Sequence, residues 1–127
     1  MASHPVTVTP DQGLPEIQRI FASKGFRHLP VVNETGRLVG IVSDRDILRY
    51  SHTAAAETAS LSVRGLMTPK TFAATLDTTI YEIAQLMLAE HISALPMLSA
   101  GGDLIGIVTT IDILKGLIRR VPIELWV

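Results

Sequence analysis

The sequence repeats itself at a fixed spacing. Residues 11–50 align with residues 77–116 without a gap, so each position corresponds to the one 66 residues later. The longest matching stretches are HLPVVNETGRLVGIVSDRDIL and ALPMLSAGGDLIGIVTTIDIL. Shared proline and glycine residues lie where the backbone is most restricted or needs most freedom. A chain of this kind folds as two copies of one unit with the same order of elements.

Each copy is predicted to run strand, helix, strand, strand, helix. Apolar residues recur at helical spacing over 14–21 and again over 80–87. Two apolar strands then flank a glycine-containing turn, NETG or SAGG, which is a hairpin signature. We also predict a capping box between Thr79 and Glu82, and a helix end at Gly25. A hairpin is antiparallel and a strand–helix–strand crossover is parallel, so the predicted fold class is α/β (α+β) with mixed sheets.

The repeat divides the chain into four segments. We assign residues 5–56 to repeat 1, 57–66 to a linker, 67–118 to repeat 2 and 119–127 to an apolar C-terminal tail. At 127 residues, we expect one core rather than two, formed where the copies pack about a pseudo-twofold axis. The tail holds the only tryptophan, Trp126, and either covers this core or contacts a second chain. The LMTP segment before the second copy is largely missing from the first, so the chain is either a piece of a longer protein or a short module.

Composition excludes several function classes. Eleven basic and twelve acidic residues leave no positive excess for binding nucleic acid. No apolar run reaches the roughly 20 residues of a membrane helix, and the start has no secretory signal, so we expect a cytoplasmic protein. Without cysteine, and with its four histidines outside metal-ligand spacing, the chain is expected to hold no metal. It also lacks the G-x-S-x-G motif, and we expect it not to be an enzyme.

Both copies carry the phrase GIV followed by Ser or Thr, two variable residues and Asp. The pairs are Ser43 with Asp46, and Thr109 with Asp112. One interpretation is structural, because a hydroxyl followed three residues later by an acid caps a helix. The other is functional, because a helix start attracts phosphate and a carboxylate accepts hydrogen bonds from ribose hydroxyls. The residues alone leave both interpretations open.

These phrases, with RGLMTP before the second copy, resemble a tandem pair of CBS domains, the small regulatory modules named after cystathionine beta-synthase. The resemblance covers about residues 5–118. It implies a non-enzymatic sensor that binds AMP, ADP or ATP in the cleft between its repeats and modulates a partner or an attached domain. Some members instead bind S-adenosylmethionine, NAD-type ligands or cyclic dinucleotides. The resemblance also implies a homodimer shaped as a flat disc of four domains.

The resemblance further implies roles for individual residues. Asp46 and Asp112 correspond to the residues that hold the ribose hydroxyls, with Ser43 and Thr109 near the ribose and phosphate. The residues that correspond to the wall of the base pocket are apolar: Val6, Phe26, Ile41, Phe72, Ile92 and Ile107.

The two copies differ in the basic residues near the repeated phrases. Arg27, His28 and Arg45 of the first copy correspond to Ser93, Ala94 and Ile111 of the second. The sites are therefore predicted to be unequal. The site of Ser43 and Asp46 would borrow Phe72, Ile92 and Ser93 from the second copy and bear the phosphate. Ordinary surface solvation is the alternative explanation for each basic residue. A structural dimerisation module without a ligand, and a sensor of another adenosyl ligand such as S-adenosylmethionine, remain the alternative functions.

Overall fold

The computed structural model describes residues 2, 3, 5–25, 27–50, 61–69 and 72–120. In the first copy, strand β1 (Ala2–Ser3) precedes helix α1 (Leu14–Lys24), the hairpin strands β2 (His28–Val32) and β3 (Leu38–Ser43), and helix α2 (Asp44–Leu48). Helix α3 (Val63–Leu66) and strand β4 (Thr68–Pro69) introduce the second copy. It continues with β5 (Ala74–Thr75), α4 (Ile80–Glu90), β6 (Ala94–Leu98), β7 (Leu104–Thr109) and α5 (Thr110–Arg120).

The two copies match element by element, which confirms the predicted fold class and repeat order. Helices α1 and α4, and the strands of the two hairpins, have bounds that differ by the same 66 positions. Both hairpins are antiparallel. Strand β5 runs parallel to β6, and Val8 makes the equivalent parallel bridge to Val31 in the first copy. The chain is therefore a pseudo-twofold pair of β-α-β-β-α units.

The hairpin turns form where the glycines predict them. Gly36 and Gly102 adopt φ of 82° and 89°, a left-handed conformation that favours glycine. In the first turn, the Asn33 side-chain oxygen accepts hydrogen bonds from the backbone N–H of Thr35 and Arg37. The turns also meet each other, because the Arg37 guanidinium donates to the carbonyl oxygen of Gly101 at 2.7 Å. This contact ties the two repeats together at the hairpin tips.

Each repeat also adds a short strand to the sheet of the other. Strand β4 pairs with β3, with Gly40 opposite Pro69. Strand β1 pairs with β7, with Gly106 opposite Ser3. The segment at the start of the first copy, expected to be largely missing, thus forms a strand equivalent to β4. Reciprocal exchange of this kind fixes how the repeats are oriented.

The prediction of a single core is wrong, because each repeat buries a core of its own. In the first repeat, Leu14 and Ile17 of α1 pack with Leu29 and Val42 of the hairpin. In the second, the equivalent cluster is built on Ile83, Leu95 and Val108. One repeat closes a core because helix residues pack on the apolar residues of its hairpin. Alternate hairpin residues, including Pro30 and Pro96, are buried outside these clusters.

The segment assigned to the linker is partly structured. Val63 and Leu66 of α3 are buried in the core of the first repeat. The backbone N–H of Val63 donates to the carbonyl of Gln12, and the N–H of Leu14 donates to the carbonyl of Leu61. Residues 61–66 therefore pack on the first repeat, whereas residues 57–60 of the linker and 121–127 of the tail lie outside the described residues. None of the helices in the described ranges is long and apolar enough to cross a membrane.

Both predicted helix boundaries are confirmed. Gly25 ends α1 with a left-handed φ of 67°. Thr79 and Glu82 form a reciprocal capping box at the start of α4, in which the Thr79 hydroxyl accepts the N–H of Glu82 at 3.1 Å.

Replacing Thr79 with alanine is expected to destabilise the chain by about 1 kcal/mol, because α4 loses a hydrogen-bond acceptor at its first turn. Urea denaturation followed by circular dichroism measures this change. Ser62 is a matched control, since it precedes α3 without a side-chain capping bond. Ser62→Ala should therefore cost less than Thr79→Ala, and equal costs would contradict the capping explanation.

Candidate functional site

Two clefts lie between the repeats. Cleft 1 has a volume of about 660 Å³ and combines Ser43 and Asp46 of the first repeat with Pro96 of the second. Cleft 2 has a volume of about 600 Å³ and combines Thr109 and Asp112 with Pro30 of the first repeat. Both volumes suit a small organic ligand. Each cleft is thus built from both copies, as the pseudo-twofold arrangement requires.

The start of helix α2 forms one wall of cleft 1. The backbone N–H of Ser43 donates to Asp46 Oδ2 at 2.8 Å, and the N–H of Asp46 donates to Ser43 Oγ at 3.2 Å. The other carboxylate oxygen, Oδ1, lies 3.7 Å from the Arg49 guanidinium. Only 7% of Asp46 is exposed, so the carboxylate is fixed in position. The predicted cap is present, and because a carboxylate accepts several hydrogen bonds, it does not exclude a ligand.

The start of helix α5 repeats this arrangement in cleft 2. Asp112 Oδ2 accepts the Thr109 N–H at 2.8 Å and the Thr109 hydroxyl at 3.1 Å. Burial raises the pKa of Asp112, the hydrogen bonds from Thr109 are among the interactions that lower it, and the net pKa lies below its ordinary value. The group is therefore a carboxylate at neutral pH. A carboxylate accepts hydrogen bonds from paired hydroxyls and does not donate.

The remaining lining of cleft 1 is partly cationic and partly apolar. Arg45 and Arg49 of the α2 segment line it, together with Arg27. Phe72 and Ile92 reach it from the second repeat, and both also pack on that repeat's core. The cleft therefore joins an apolar wall, a fixed carboxylate and several guanidinium groups.

Cleft 2 carries fewer cations. Lys115 occupies the position equivalent to Arg49, and Ile111 replaces Arg45. Val6 and Ile107 supply apolar surface. The two clefts therefore have equivalent aspartates but different numbers of cations beside them.

The structure brings the predicted site residues into these two clefts. Cleft 1 is lined by Arg27, His28, Ile41, Ser43, Arg45, Asp46, Phe72, Ile92 and Ser93. Cleft 2 is lined by Val6, Arg27, His28, Ser93, Ile107, Thr109 and Asp112. Phe26 lies outside the described residues. Lining a cleft does not assign a ligand, and the binding roles stay predictions.

Sequence reasoning missed two cations. Arg49 and Lys115 each lie three residues after the repeated aspartate, one helical turn further along the same face. Each lines the cleft of its own helix start. Their equivalence between the copies is a signal that was available in the sequence.

Arg27 and His28 lie where the two clefts meet. Both are predicted phosphate contacts carried by the first copy, and they line both clefts. His28 Nε2 lies 3.3 Å from the Ser93 hydroxyl of the other repeat. Because both clefts have walls from both repeats, a residue of one repeat can contribute to the surface of both.

The environment of His28 disfavours its charged form. Burial lowers the pKa of the imidazole, while Asp44 and Asp46 raise it, and Arg27 and Arg45 lower it. The net result is a pKa below the ordinary value of 6.5. His28 is therefore mainly neutral at pH 7.

The free energy of unfolding is expected to fall as the pH drops below 6.5, because the unfolded chain then takes up a proton at His28 more readily than the folded chain. The loss ends once the pH is below the lowered pKa of the folded state. Urea denaturation between about pH 7.5 and about pH 5 measures it. Subtracting the profile of His28→Gln from that of the wild-type chain removes the contributions of the other histidines. Identical profiles for the two chains would contradict the prediction.

The family comparison agrees with this geometry. The model of the CBS domain matches residues 1–53 and 63–119. The chain belongs to the CBS domain family. Among relatives, the protein MJ1426 of Methanocaldococcus jannaschii is 31% identical, with 90% of this chain and 86% of that protein aligned. An inosine-5'-monophosphate dehydrogenase of Korarchaeum cryptofilum is 36% identical over 85% of this CBS pair, which spans only 21% of that enzyme.

Solved CBS pairs have the same fold. The structure of CBSX2 in complex with AMP superposes with a TM-score of 0.81 and 28% identity, covering 91% of this chain and 89% of that one. CBSX2 comes from Arabidopsis thaliana. The CBS pair of MJ0100, in complex with 5'-methylthioadenosine and S-adenosyl-L-methionine, superposes with a TM-score of 0.81 and 26% identity, covering 95% and 94%. Related CBS pairs therefore bind adenosyl ligands of different charge.

Proposed function

We propose that the chain is a regulatory module that binds an adenosine nucleotide, AMP, ADP or ATP, in cleft 1 and thereby modulates a partner protein or an attached domain. The observation that carries this proposal is the composition of cleft 1. The buried Asp46 carboxylate, three arginines and an apolar wall line one cavity of about 660 Å³. A ribose, a phosphate and a purine base need these three kinds of surface.

Each part of the ligand has a partner in cleft 1. The Asp46 carboxylate accepts hydrogen bonds from the two ribose hydroxyls. Arg27, Arg45 and Arg49 bind the phosphate, because guanidinium groups form paired, charge-assisted hydrogen bonds with phosphate oxygens. Ile41, Phe72 and Ile92 enclose the base, which is flat and largely apolar. The structure of CBSX2 with AMP supports this ligand class.

Cleft 2 takes an adenosyl ligand with less negative charge. Thr109 and Asp112 keep the ribose partner, while Ile111 removes one of the cations that would bind phosphate. An adenosyl sulfonium such as S-adenosylmethionine, or a neutral nucleoside, suits this surface better than a triphosphate. MJ0100, with 5'-methylthioadenosine and S-adenosyl-L-methionine, supports this reading.

Binding at either cleft acts on the pairing of the repeats. Each cleft has walls from both copies, so a ligand that contacts both walls stabilises one packing of the repeats relative to others. A partner or attached domain that distinguishes these packings then responds to the ligand. The signal is a population shift and requires no chemical step.

A structural dimerisation module is the second candidate. Tyr81 and Leu88 on α4, and Leu114 and Ile118 on α5, are apolar or aromatic and 49–77% exposed. Such a surface on a small domain favours association, and we propose a homodimer through these helices. A dimer is compatible with sensing, so only the absence of ligand binding favours this candidate over the first.

Isothermal titration calorimetry with AMP, ADP, ATP and S-adenosylmethionine tests the proposal, with GMP as a control for the base. Binding of an adenosine nucleotide, and its loss in the Asp46→Ala and Asp112→Ala double variant, would support the sensor. If none of the adenosyl ligands binds the folded wild-type chain, the sensor proposal fails. Sedimentation equilibrium of the same samples then decides whether a dimer remains to explain the fold.

A further inference from the structure

Arg27 lies in the wall between the two clefts. It lines both cavities, as do His28 and Ser93. Its side chain is exposed, so the guanidinium is available to a ligand on either side of the wall. One permanent positive charge therefore faces two candidate anion sites.

The backbone holds this wall against both helix starts. The carbonyl oxygen of Arg27 accepts the N–H of Asp44, the first residue of α2, at 3.0 Å. The carbonyl oxygen of Ser93 accepts the N–H of Thr110, the first residue of α5, also at 3.0 Å. The contact between His28 and Ser93 joins these two attachments. The backbone of Arg27 is thus held beside cleft 1 and at its boundary with cleft 2.

Arg27 contributes to the positive charge of both clefts. Cleft 1 is lined by three arginines and two aspartates, and cleft 2 by Arg27, Lys115 and one aspartate. With histidines counted as neutral, each cleft has one positive charge in excess, but both counts include Arg27. Taken together, the clefts hold four cations and three carboxylates, an excess of one charge rather than two.

We propose that the two clefts share the charge of Arg27, so that a phosphate-bearing ligand in one cleft weakens the binding of a second phosphate-bearing ligand in the other. The inference rests on the proposed function. A phosphate in cleft 1 uses the guanidinium and adds negative charge near cleft 2, and both effects oppose a second anion. A neutral adenosyl ligand meets neither effect. The chain therefore takes one nucleotide together with one neutral ligand more readily than two nucleotides.

Amide NMR of the 15N-labelled full chain tests this coupling, with AMP and adenosine as probes. The amides of Asp46 and Asp112 report cleft 1 and cleft 2 separately. The Kd of AMP for cleft 2 is measured with cleft 1 occupied in the wild-type chain, and again with cleft 1 weakened by Phe72→Ala. Ile41→Ala is a second way to weaken cleft 1, and neither substitution changes the charge of a cleft.

Occupation of cleft 1 by AMP should raise the Kd of AMP for cleft 2 by about tenfold, within the usual range for coupled sites. For adenosine, the Kd for cleft 2 should agree within about twofold whether cleft 1 is occupied or weakened. For AMP in an Arg27→Gln background, the effect should fall well below tenfold, because only the direct repulsion between the two phosphates remains. Arg19→Gln removes an exposed arginine outside both clefts, and the tenfold effect should persist in it. If the Kd of AMP for cleft 2 is the same in the wild-type and Phe72→Ala chains, the coupling is overturned and the sensor proposal still stands. If neither AMP nor adenosine binds either cleft, the inference fails, and the proposed function fails with it when ADP, ATP and S-adenosylmethionine do not bind either.

Discussion

Asp46→Ala is expected to raise the Kd of AMP for cleft 1 by roughly tenfold to a hundredfold and to destabilise the chain by about 1 kcal/mol. The two effects have different causes. The loss of affinity follows from removing a charged hydrogen-bond acceptor for the ribose, which is worth about 1.5–3 kcal/mol. The loss of stability follows from removing the side chain that accepts the Ser43 N–H at the start of α2. Calorimetry measures the first and urea denaturation the second.

Asp46→Asn separates the two roles. The asparagine side chain keeps an oxygen for the Ser43 N–H, so stability should change by less than in Asp46→Ala. It loses the negative charge, so AMP should still bind about tenfold more weakly. Thr79→Ala is the opposite control, because it removes a cap outside both clefts. It should lower stability and leave the affinity for AMP unchanged. If Asp46→Ala lowers stability but leaves the affinity for AMP unchanged, the repeated aspartate is a cap only.

Local features of the fold were predictable because neighbouring residues determine them. The caps at Thr79 and Gly25 depend on hydrogen bonds and backbone angles within a few residues. The hairpins follow from apolar strands on either side of a turn glycine. The constant spacing then transferred each assignment from one copy to the other. These predictions needed no knowledge of how the repeats pack.

Features that depend on contacts between repeats were predicted less completely. Strands β1 and β4 have two residues each, too few for an apolar pattern, so their exchange between the sheets had no sequence signal. The single-core prediction came from chain length, which does not reveal that the helices of each repeat pack on that repeat's own hairpin. Arg27 lines both clefts because of how the two repeats pack against each other, and a linear sequence does not give this packing.

Gly40→Ala is expected to destabilise the chain by about 1–3 kcal/mol, the usual cost of overpacking a filled site. A Cβ atom at Gly40 would lie 2.7 Å from Met67 Sδ and 2.8 Å from the carbonyl oxygen of Thr68. The thioether has rotatable bonds and can move, but the carbonyl belongs to strand β4, which pairs with β3 at this point. Relief of the clash therefore requires β4 to move away from the first repeat. Urea denaturation measures the cost.

Gly65→Ala is the matched control, because the residue is exposed in helix α3 and, among the described residues outside its own helix backbone and chain neighbours, no atom lies within 4 Å of the added Cβ. It should leave stability unchanged or raise it by up to about 1 kcal/mol, since alanine favours a helix over glycine. Similar stabilities for the two variants would show that β4 tolerates displacement. Gly40, Thr68 and Pro69 also line cleft 1, so a displaced β4 changes the shape of the cavity. Gly40→Ala should therefore weaken AMP binding at cleft 1 without removing any of its charges, and this loss would tie ligand affinity to the strand exchanged between the repeats.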